Sequence, residues 1–327
     1  MGTIISLLLL LVFLAGGFFV ARFGLLRFTP IAGIAFSFAL YLLLFSMGLR
    51  LGQSRDVLAN LSLVGALAIS CTLFACGGTV LLHVLFIPVY RRLDRVGIRG
   101  DAIGDVKADD GASTLSLSGS RRLSLLFYNL RKPLFLLALV ILGTAVGYAL
   151  PEIAVIRDGS ISTVFLYILL FIIGLQMADS GHDLARFFTR PSLLVVPLVT
   201  IVGTLAGSLG TLAFDGMTPG RSFALASGFG WYSLSGVLIA NLGDPMLGAA
   251  SFLSNLLRET LAFLAVPLLR LTGRPESGIG VAGATSMDVT LPVIGDAWGP
   301  SSIPLSVAHG VILSLLVPFL VPLFMSL

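Results

Sequence analysis

The sequence predicts an all-α polytopic membrane protein with eight to ten transmembrane helices. Apolar residues make up 57% of the 327 residues and charged residues only 11%, whereas soluble domains carry about a quarter charged residues. The mean hydropathy is +1.04. So few polar side chains cannot cover a water-facing surface, which argues against a soluble enzyme and against a nucleic-acid partner, although 20 basic residues exceed 16 acidic ones.

Ten stretches are apolar enough to cross the hydrocarbon core, which takes about 20 helical residues. These candidate spans are residues 3–20, 31–49, 61–88, 133–150, 160–178, 192–214, 222–242, 246–269, 279–295 and 303–325. Glycines interrupt segments 222–242 and 279–295. We therefore expect either ten crossings or eight crossings with two discontinuous or re-entrant segments in the C-terminal third.

The basic residues predict the orientation. Nine of them lie in segment 91–132, which places it in the cytoplasm because cytoplasmic loops are rich in Lys and Arg. Alternation from there predicts that both termini are periplasmic and, with ten crossings, that Arg270 and Arg274 are external. The segment is also rich in Gly, Ser and Asp and has no apolar period, so we expect a mobile tether.

A short internal similarity favours an inverted repeat. Residues 44–50 resemble residues 170–176 at an offset of 126. Because each unit would hold three spans, an odd number, the second copy would be inverted, as in many transporters. We divide the chain into a three-helix unit 1–90, the loop just described, a second unit 133–220 and a substrate-site region 221–327. Chance similarity between two apolar helices is the alternative.

The first residue that points to function is Glu259, near the middle of an apolar span. An ionisable side chain at this depth costs several kcal/mol unless it pairs or meets water. Ser251, Asn255 and Glu259 are four residues apart and share one helical face, and Arg258 lies in the adjoining row. A self-neutralising Arg258–Glu259 pair is the alternative, but adjacent residues differ by about 100° around a helix.

The second is Asp288, in a segment broken by glycines and by Pro292. Irregular backbone at membrane depth is tolerated only beside a cavity or buried in protein, and Thr285 and Ser286 can satisfy freed backbone groups. The alternative is an external loop with a solvated Asp288. Two carboxylates in one low-dielectric cavity do not ionise readily, so the pair could hold a proton and release it to a cation.

Further candidate residues lie in the run 228–236 and at His309. The glycines and Ser235 suit close backbone approach or N–H groups that receive a carboxylate, while Trp231 and Tyr232 suit stacking on a cation. An interfacial aromatic belt with small-residue packing is the alternative. His309 suits either a proton role or a structural hydrogen bond. We expect no cofactor and no metal site.

Four motifs resemble the bacterial lysine exporter family: ASGFGWYSLSG at 226–236, NLLRE at 255–259, GATSMDVTLP at 283–292 and HGVILSLLVP at 309–318. The first 220 residues resemble it only in hydropathy, length and their Leu-Phe-x-x-Gly-Leu turns, and the loop 91–132 is longer than is usual there. The resemblance implies a multi-pass inner-membrane exporter of L-lysine and of toxic analogues such as thialysine. It also implies two essential membrane-embedded acids, which match Glu259 and Asp288.

Other functions stay open at this point. One is a proton- or sodium-coupled transporter of another cationic amino acid or solute, and another is a passive channel. A more remote one is an intramembrane hydrolase with Ser233 or Ser235 paired to His309. We expect transport rather than catalysis, with protons or sodium as the coupling ion, and the sequence leaves the oligomeric state open, a homo-oligomer included.

Overall fold

The computed structural model describes residues 2–24, 30–95, 119–157, 160–179 and 191–327, and within these ranges its regular structure is helical throughout. The α-helices are α1 Gly2–Arg22, α2 Pro30–Gln53, α3 Arg55–Ala59, α4 Leu61–Leu85, α5 Ile87–Arg95, α6 Gly119–Ala149, α7 Ala154–Arg157, α8 Ser160–Asp179, α9 Pro191–Ser208, α10 Pro219–Ala226, α11 Tyr232–Asn241, α12 Pro245–Leu269, α13 Glu276–Ala282, α14 Leu291–Trp298 and α15 Ile303–Met325. Short 3₁₀ helices cover Leu209–Ala213, Arg270–Thr272, Gly283–Met287 and Pro300–Ser302.

Six stretches of the described chain are helical, long and apolar enough to cross a membrane. They are Gly33–Gln53, Leu61–Leu85, Ala154–Leu175, Leu193–Ala213, Pro245–Thr272 and Ile303–Met325. Two shorter apolar stretches, Val12–Arg22 and Leu134–Ala149, belong to α1 and α6. These helices confirm the predicted all-α polytopic membrane fold.

The predicted span 222–242 is a broken helical hairpin rather than a continuous helix. The two arms of this hairpin 1 are α10 and α11, joined by the tip 227–231. At its open end, Arg221 Nη2 donates to Asp244 Oδ2 at 2.5 Å. Since Arg221 begins the first arm and Asp244 follows the second, both ends of hairpin 1 lie on the same side of the protein.

The predicted span 279–295 is a second broken hairpin. Hairpin 2 has the arms α13 and α14, joined by the tip 283–290. The ring of Trp298, at the end of the second arm, lies directly against Gly278 in the first turn of the first arm. Hairpin 2 therefore also enters and leaves on one side.

The two hairpins enter from opposite faces. The guanidinium of Arg274 lies 5.8 Å from the centre of the Tyr90 ring, so hairpin 2 begins on the face that carries α5. Asp244, at the end of hairpin 1, is separated from that face by the 25 residues of α12, a length of about 37 Å. This arrangement disagrees with the ten-crossing alternative, which places Arg274 on the face opposite to the start of segment 91–132. Hairpin 1 also turns back on itself. The geometry therefore favours eight crossings, of which six are long and apolar enough among the described residues.

The helix pairings follow the 126-residue offset that the sequence suggested. α1 packs on α8, α2 packs on α6, and α4 packs on α9. Gly17 lies against Gly174 in the first pair, and Gly48 lies against Gly143 in the second. Gly143 lies 126 residues after Gly17, and Gly174 lies 126 residues after Gly48. The offset therefore converts each contact into the other, as expected when two copies of one unit are related by a two-fold axis.

Most of the predicted mobile loop 91–132 cannot be compared with the structure, because residues 96–118 lie outside the described ranges. Its two ends are helical and belong to α5 and α6. The boundaries of the three-helix units and of the substrate-site region stay predictions.

Candidate functional site

The tips of the two hairpins meet inside the protein. The backbone N–H of Ala284, in the tip of hairpin 2, donates to the carbonyl oxygen of Phe229, in the tip of hairpin 1, at 2.8 Å. Phe229 has a φ of 48° and Gly230 a φ of 100°. A positive φ is strained for phenylalanine, so neighbouring contacts must hold this turn.

Asn255, on α12, is the side chain that holds the tip of hairpin 1. Its Oδ1 accepts a hydrogen bond from the backbone N–H of Gly230 at 2.7 Å. Its Nδ2 donates to Ser251 O at 2.9 Å and to Ser235 Oγ at 3.1 Å. Asn255 and Ser235 are buried. Two residues of the predicted polar stripe, Ser251 and Asn255, therefore form hydrogen bonds with backbone groups of hairpin 1.

Arg258, also on α12, holds hairpin 2. Its Nε donates to Val281 O at 3.1 Å and its Nη2 donates to Gly280 O at 2.9 Å. These carbonyls end α13, where helix carbonyls lack intrahelical partners and the helix dipole favours a cation. Arg258 also donates to Thr204 Oγ1 at 3.2 Å. It therefore points away from Glu259, as their offset around the helix requires.

A cavity of about 480 Å³ lies where the two tips meet. This volume is in the range of small-molecule binding sites. The wall combines the two tips with apolar side chains of the surrounding helices. It is lined by Phe36, Leu40, Leu136, Ile173, Gly230, Trp231, Tyr232, Ser233, Glu259, Ala284, Thr285, Met287, Asp288, Val289, Val307, Val311, Ser314 and Leu315. Among the predicted site residues, Glu259, Asp288, Trp231, Tyr232 and Thr285 belong to this wall, whereas Arg258, Asn255, Ser235, Ser286 and His309 do not.

The two acids differ in their surroundings. Glu259 is 2% exposed, and its Oε1 is buried with no hydrogen-bond partner in the described part of the protein. Asp288 is exposed, and its Oδ1 accepts from the backbone N–H of Val289 at 2.6 Å. A buried carboxylate oxygen without a partner is costly, so the cavity is complementary to a ligand that brings a hydrogen-bond donor with positive charge.

The N-terminus of α11 opens onto the same cavity. Trp231 precedes this helix and supplies no side-chain cap, and Trp231, Tyr232 and Ser233 all line the wall. The first N–H groups of a helix lack intrahelical acceptors and carry partial positive charge. One side of the cavity therefore offers donors to an anion, and the acids offer acceptors to a cation.

His309 lies behind the cavity wall. Its Nδ1 is 3.0 Å from Ser286 Oγ and its Nε2 is 2.9 Å from Thr200 Oγ1. Ser235, by contrast, bonds to Asn255 and Ser251. The structure thus gives His309 partners other than the serines that a hydrolytic dyad would need.

Sequence reasoning missed Thr200, Thr204 and His83. Each is fully buried in an apolar helix, and each bonds to another element. A histidine inside an apolar span is a signal that the cost of burying it could have revealed. The threonines carry no such signal, since a threonine can satisfy its hydroxyl on its own helix.

Comparison with known proteins identifies the family. The family model described as "Lysine exporter LysO" matches residues 137–325. An Escherichia coli K12 protein named "Lysine exporter LysO" is 36% identical over 190 residues, which is 58% of this chain and 62% of that protein. A Haemophilus influenzae Rd protein named "Putative lysine exporter" is 32% identical over 191 residues, which is 58% of this chain and 97% of that protein. No solved structure matches. The match contains both hairpins and the lining of the cavity except Phe36, Leu40 and Leu136, and the chain belongs to the lysine exporter family LysO.

Proposed function

We propose that this protein exports L-lysine, and analogues such as thialysine, across the bacterial inner membrane in exchange for protons. The observation that carries the proposal is the unpartnered Oε1 of Glu259 in the wall of a cavity that it shares with Asp288. Family membership supports lysine as the substrate, since both relatives are named for lysine export.

The lining of the cavity suits lysine, which carries a cationic group and a carboxylate at opposite ends of an apolar stem. A side-chain ammonium brings three donors and one positive charge, which complements Glu259 and Asp288. The apolar stem would lie on leucine, isoleucine and valine side chains such as Leu136, Ile173 and Val311. The α-carboxylate would face the N-terminus of α11. Arg258 is less suited to that role because its guanidinium donates to Val281 and Gly280.

Protons and lysine would compete for the same two carboxylates. A carboxylate that has left bulk water is stabilised either by a proton or by an arriving ammonium. Binding of lysine would therefore release protons, and binding of protons would release lysine. Sodium, which also binds carboxylates, is the alternative coupling ion.

The orientation follows from the charge of the two faces. In the described part of the chain, ten basic residues lie toward the face of α5: Arg22, Arg91, Arg92, Arg95, Arg121, Arg122, Arg131, Lys132, Arg270 and Arg274. Four of the described basic residues, Arg50, Arg55, Arg157 and Arg221, belong to the other face. We assign the first face to the cytoplasm by the positive-inside rule, and eight crossings then leave both termini periplasmic.

The test is lysine efflux from cells that carry Glu259→Gln or Asp288→Asn. Both changes keep the size of the side chain but remove its charge, so we expect efflux to fall by about 100-fold, in line with the loss of a charge partner of the substrate. Asp215→Asn is the control, because Asp215 is an exposed acid outside the cavity, and its efflux should equal wild type. Normal efflux by both site variants at normal protein levels would refute the proposal.

Export of cationic amino acids in general is a second candidate function, because the carboxylates in the cavity wall can bind any cationic side chain. Arginine and ornithine differ from lysine in the head group or in stem length. Competition of each with labelled lysine during efflux separates a lysine exporter from an exporter of cationic amino acids in general.

A further inference from the structure

A chain of buried hydrogen bonds leads from the back of the cavity to the face of α5. Ser286 Oγ is 3.0 Å from His309 Nδ1, and His309 Nε2 is 2.9 Å from Thr200 Oγ1. Thr200 Oγ1 is 2.9 Å from His83 Nε2, and His83 Nδ1 is 2.8 Å from Tyr90 Oη. The five side chains come from five different segments of the fold, so local sequence does not create this continuity.

Both ends of the chain are well placed for passage between the cavity and one face. Ser286 lies between Thr285 and Met287, which both line the cavity. Tyr90 lies in α5 beneath the guanidinium of Arg274, on the face that we assign to the cytoplasm. All five members are nearly or fully buried: Ser286, His309, Thr200 and His83 are 0% exposed and Tyr90 is 2% exposed.

The hydrogen bonds have a single consistent direction when both imidazoles are neutral. Ser286 Oγ donates its one proton to Ser306 O at 2.9 Å, so His309 Nδ1 must donate to Ser286. His309 Nε2 then accepts from Thr200, whose hydroxyl accepts in turn from His83 Nε2. His83 Nδ1 accepts from Tyr90. Each member from Tyr90 to His309 thus donates to the next member toward Ser286, which is the polarity that a relay has after a proton has passed from Ser286 to Tyr90.

We propose that Ser286, His309, Thr200, His83 and Tyr90 conduct protons between the cavity and the cytoplasmic face. This relay rests on the proposed function, because it supplies the route by which a carboxyl group that is closed to the outside loses its proton to the cytoplasm. The cavity itself is occupied by lysine at that stage, so a route behind its wall lets protons and substrate move separately.

The transfer conserves every proton. The transfer starts from the opposite polarity, with His309 protonated on Nε2, His83 protonated on Nδ1 and the Ser286 hydroxyl turned to His309. A proton that leaves a cavity carboxyl group passes through water to Ser286 Oγ, whose own proton moves to His309 Nδ1. His309 releases its Nε2 proton to Thr200, Thr200 releases its proton to His83 Nε2, and His83 releases its Nδ1 proton to Tyr90. Tyr90, which is 2% exposed, releases its proton to a water molecule that enters from the cytoplasmic face. This passage leaves the polarity seen in the structure, and rotation of the hydroxyls with tautomer exchange of the rings resets the chain.

The charged groups around the relay are themselves neutralised. Glu276, on α13, forms an ion pair with Arg274 at 2.9 Å, and the guanidinium of Arg258, on α12, is bonded to backbone carbonyls and to Thr204. Both Glu276 and Arg258 act electrostatically on His83. The relay side chains therefore lie between Glu276, whose charge is balanced by Arg274, and Arg258, whose charge is balanced by backbone carbonyls. Neither neighbour carries an unbalanced charge that would hold a proton at one position of the relay.

The test compares Thr200→Val with Thr200→Ser in proteoliposomes. Valine removes the central hydroxyl at nearly the same volume, and serine keeps it. For Thr200→Val we expect lysine uptake driven by a pH gradient to fall by about tenfold or more, while exchange of labelled for unlabelled lysine without a gradient stays at the wild-type rate. Such exchange needs no proton to leave for the cytoplasm. Thr200→Ser should retain both activities.

Tyr90→Phe gives a second, independent break at the cytoplasmic end and should show the same split between driven uptake and exchange. Equal loss of both activities in the two broken variants would indicate a structural role and overturn the relay, as would full driven uptake in either of them. Absence of lysine exchange by the wild-type protein would instead overturn the proposed function and the relay with it.

Discussion

Arg258 and Glu259 are neighbours on α12 but point in different directions, because about 100° of rotation separates adjacent residues of a helix. Glu259 faces the cavity, whereas Arg258 turns to the carbonyls that end α13. An adjacent Arg–Glu pair in an apolar sequence suggests mutual neutralisation, but here each charge has its own environment. The helix dipole and backbone carbonyls stabilise the cation, which leaves the carboxylate available to a ligand.

At this scale the sequence predicted the acids better than their supports. Glu259 and Asp288 could be predicted because a charge at membrane depth requires a function or a partner. The roles of Arg258 and Asn255 could not, since their partners are backbone groups of distant segments, such as Gly280 O and the N–H of Gly230. Such partners leave no mark in the residue types along the chain.

Asn255→Leu should destabilise the protein and impair transport. It removes the acceptor of the Gly230 N–H and leaves that group buried, which costs about 1–3 kcal/mol, and it frees the strained turn at Phe229. Thermal unfolding of the purified protein in detergent measures the effect. Thr260→Val is the matched control on the same helix, because among the described residues the Thr260 hydroxyl bonds within α12, to Leu256 O. Equal melting temperatures for the two variants would contradict this role.

The elements that form the site are two broken hairpins, and their breaks follow from residue type. Gly230 and Gly283 have positive φ angles of 100° and 65°, and Pro292 lies in the first turn of α14, where proline is favoured. The sequence therefore predicted discontinuity in both segments. It could not decide between crossing and re-entry, because the deciding contacts, Arg221 with Asp244 and Trp298 with Gly278, join residues about 20 apart in the chain.

Re-entry predicts which loops share a side of the membrane. We expect single cysteines at Leu271 and Arg91 to react with a membrane-impermeant maleimide from the same side, and a cysteine at Asp215 to react from the other side. All three positions are exposed, and the native Cys71 and Cys76 are buried and can be replaced by alanine. Labelling of intact and of permeabilised cells provides the measurement. Reaction of the Leu271 and Asp215 positions from the same side would contradict re-entry.

The whole molecule combines two groups of helices with the cavity at their boundary. α1, α2, α6 and α8 pack on one another, whereas α4, α9, α12 and α15 pack around the hairpins. The cavity wall draws on both groups, through Leu40 and Ile173 on one side and Glu259 and Asp288 on the other. A substrate in the cavity therefore contacts both groups, and relative movement of the groups would open it to either face.

Exchange of lysine for protons at the carboxylates of Glu259 and Asp288 is the central step of the proposed function. The most direct measurement is uptake of labelled lysine by proteoliposomes under an imposed pH gradient, for wild type, Glu259→Gln and Asp288→Asn. We predict that wild type accumulates lysine in the compartment from which protons leave, and that both variants accumulate none. Lysine accumulation by the variants at the wild-type rate, or wild-type accumulation that does not depend on the pH gradient, would contradict the account.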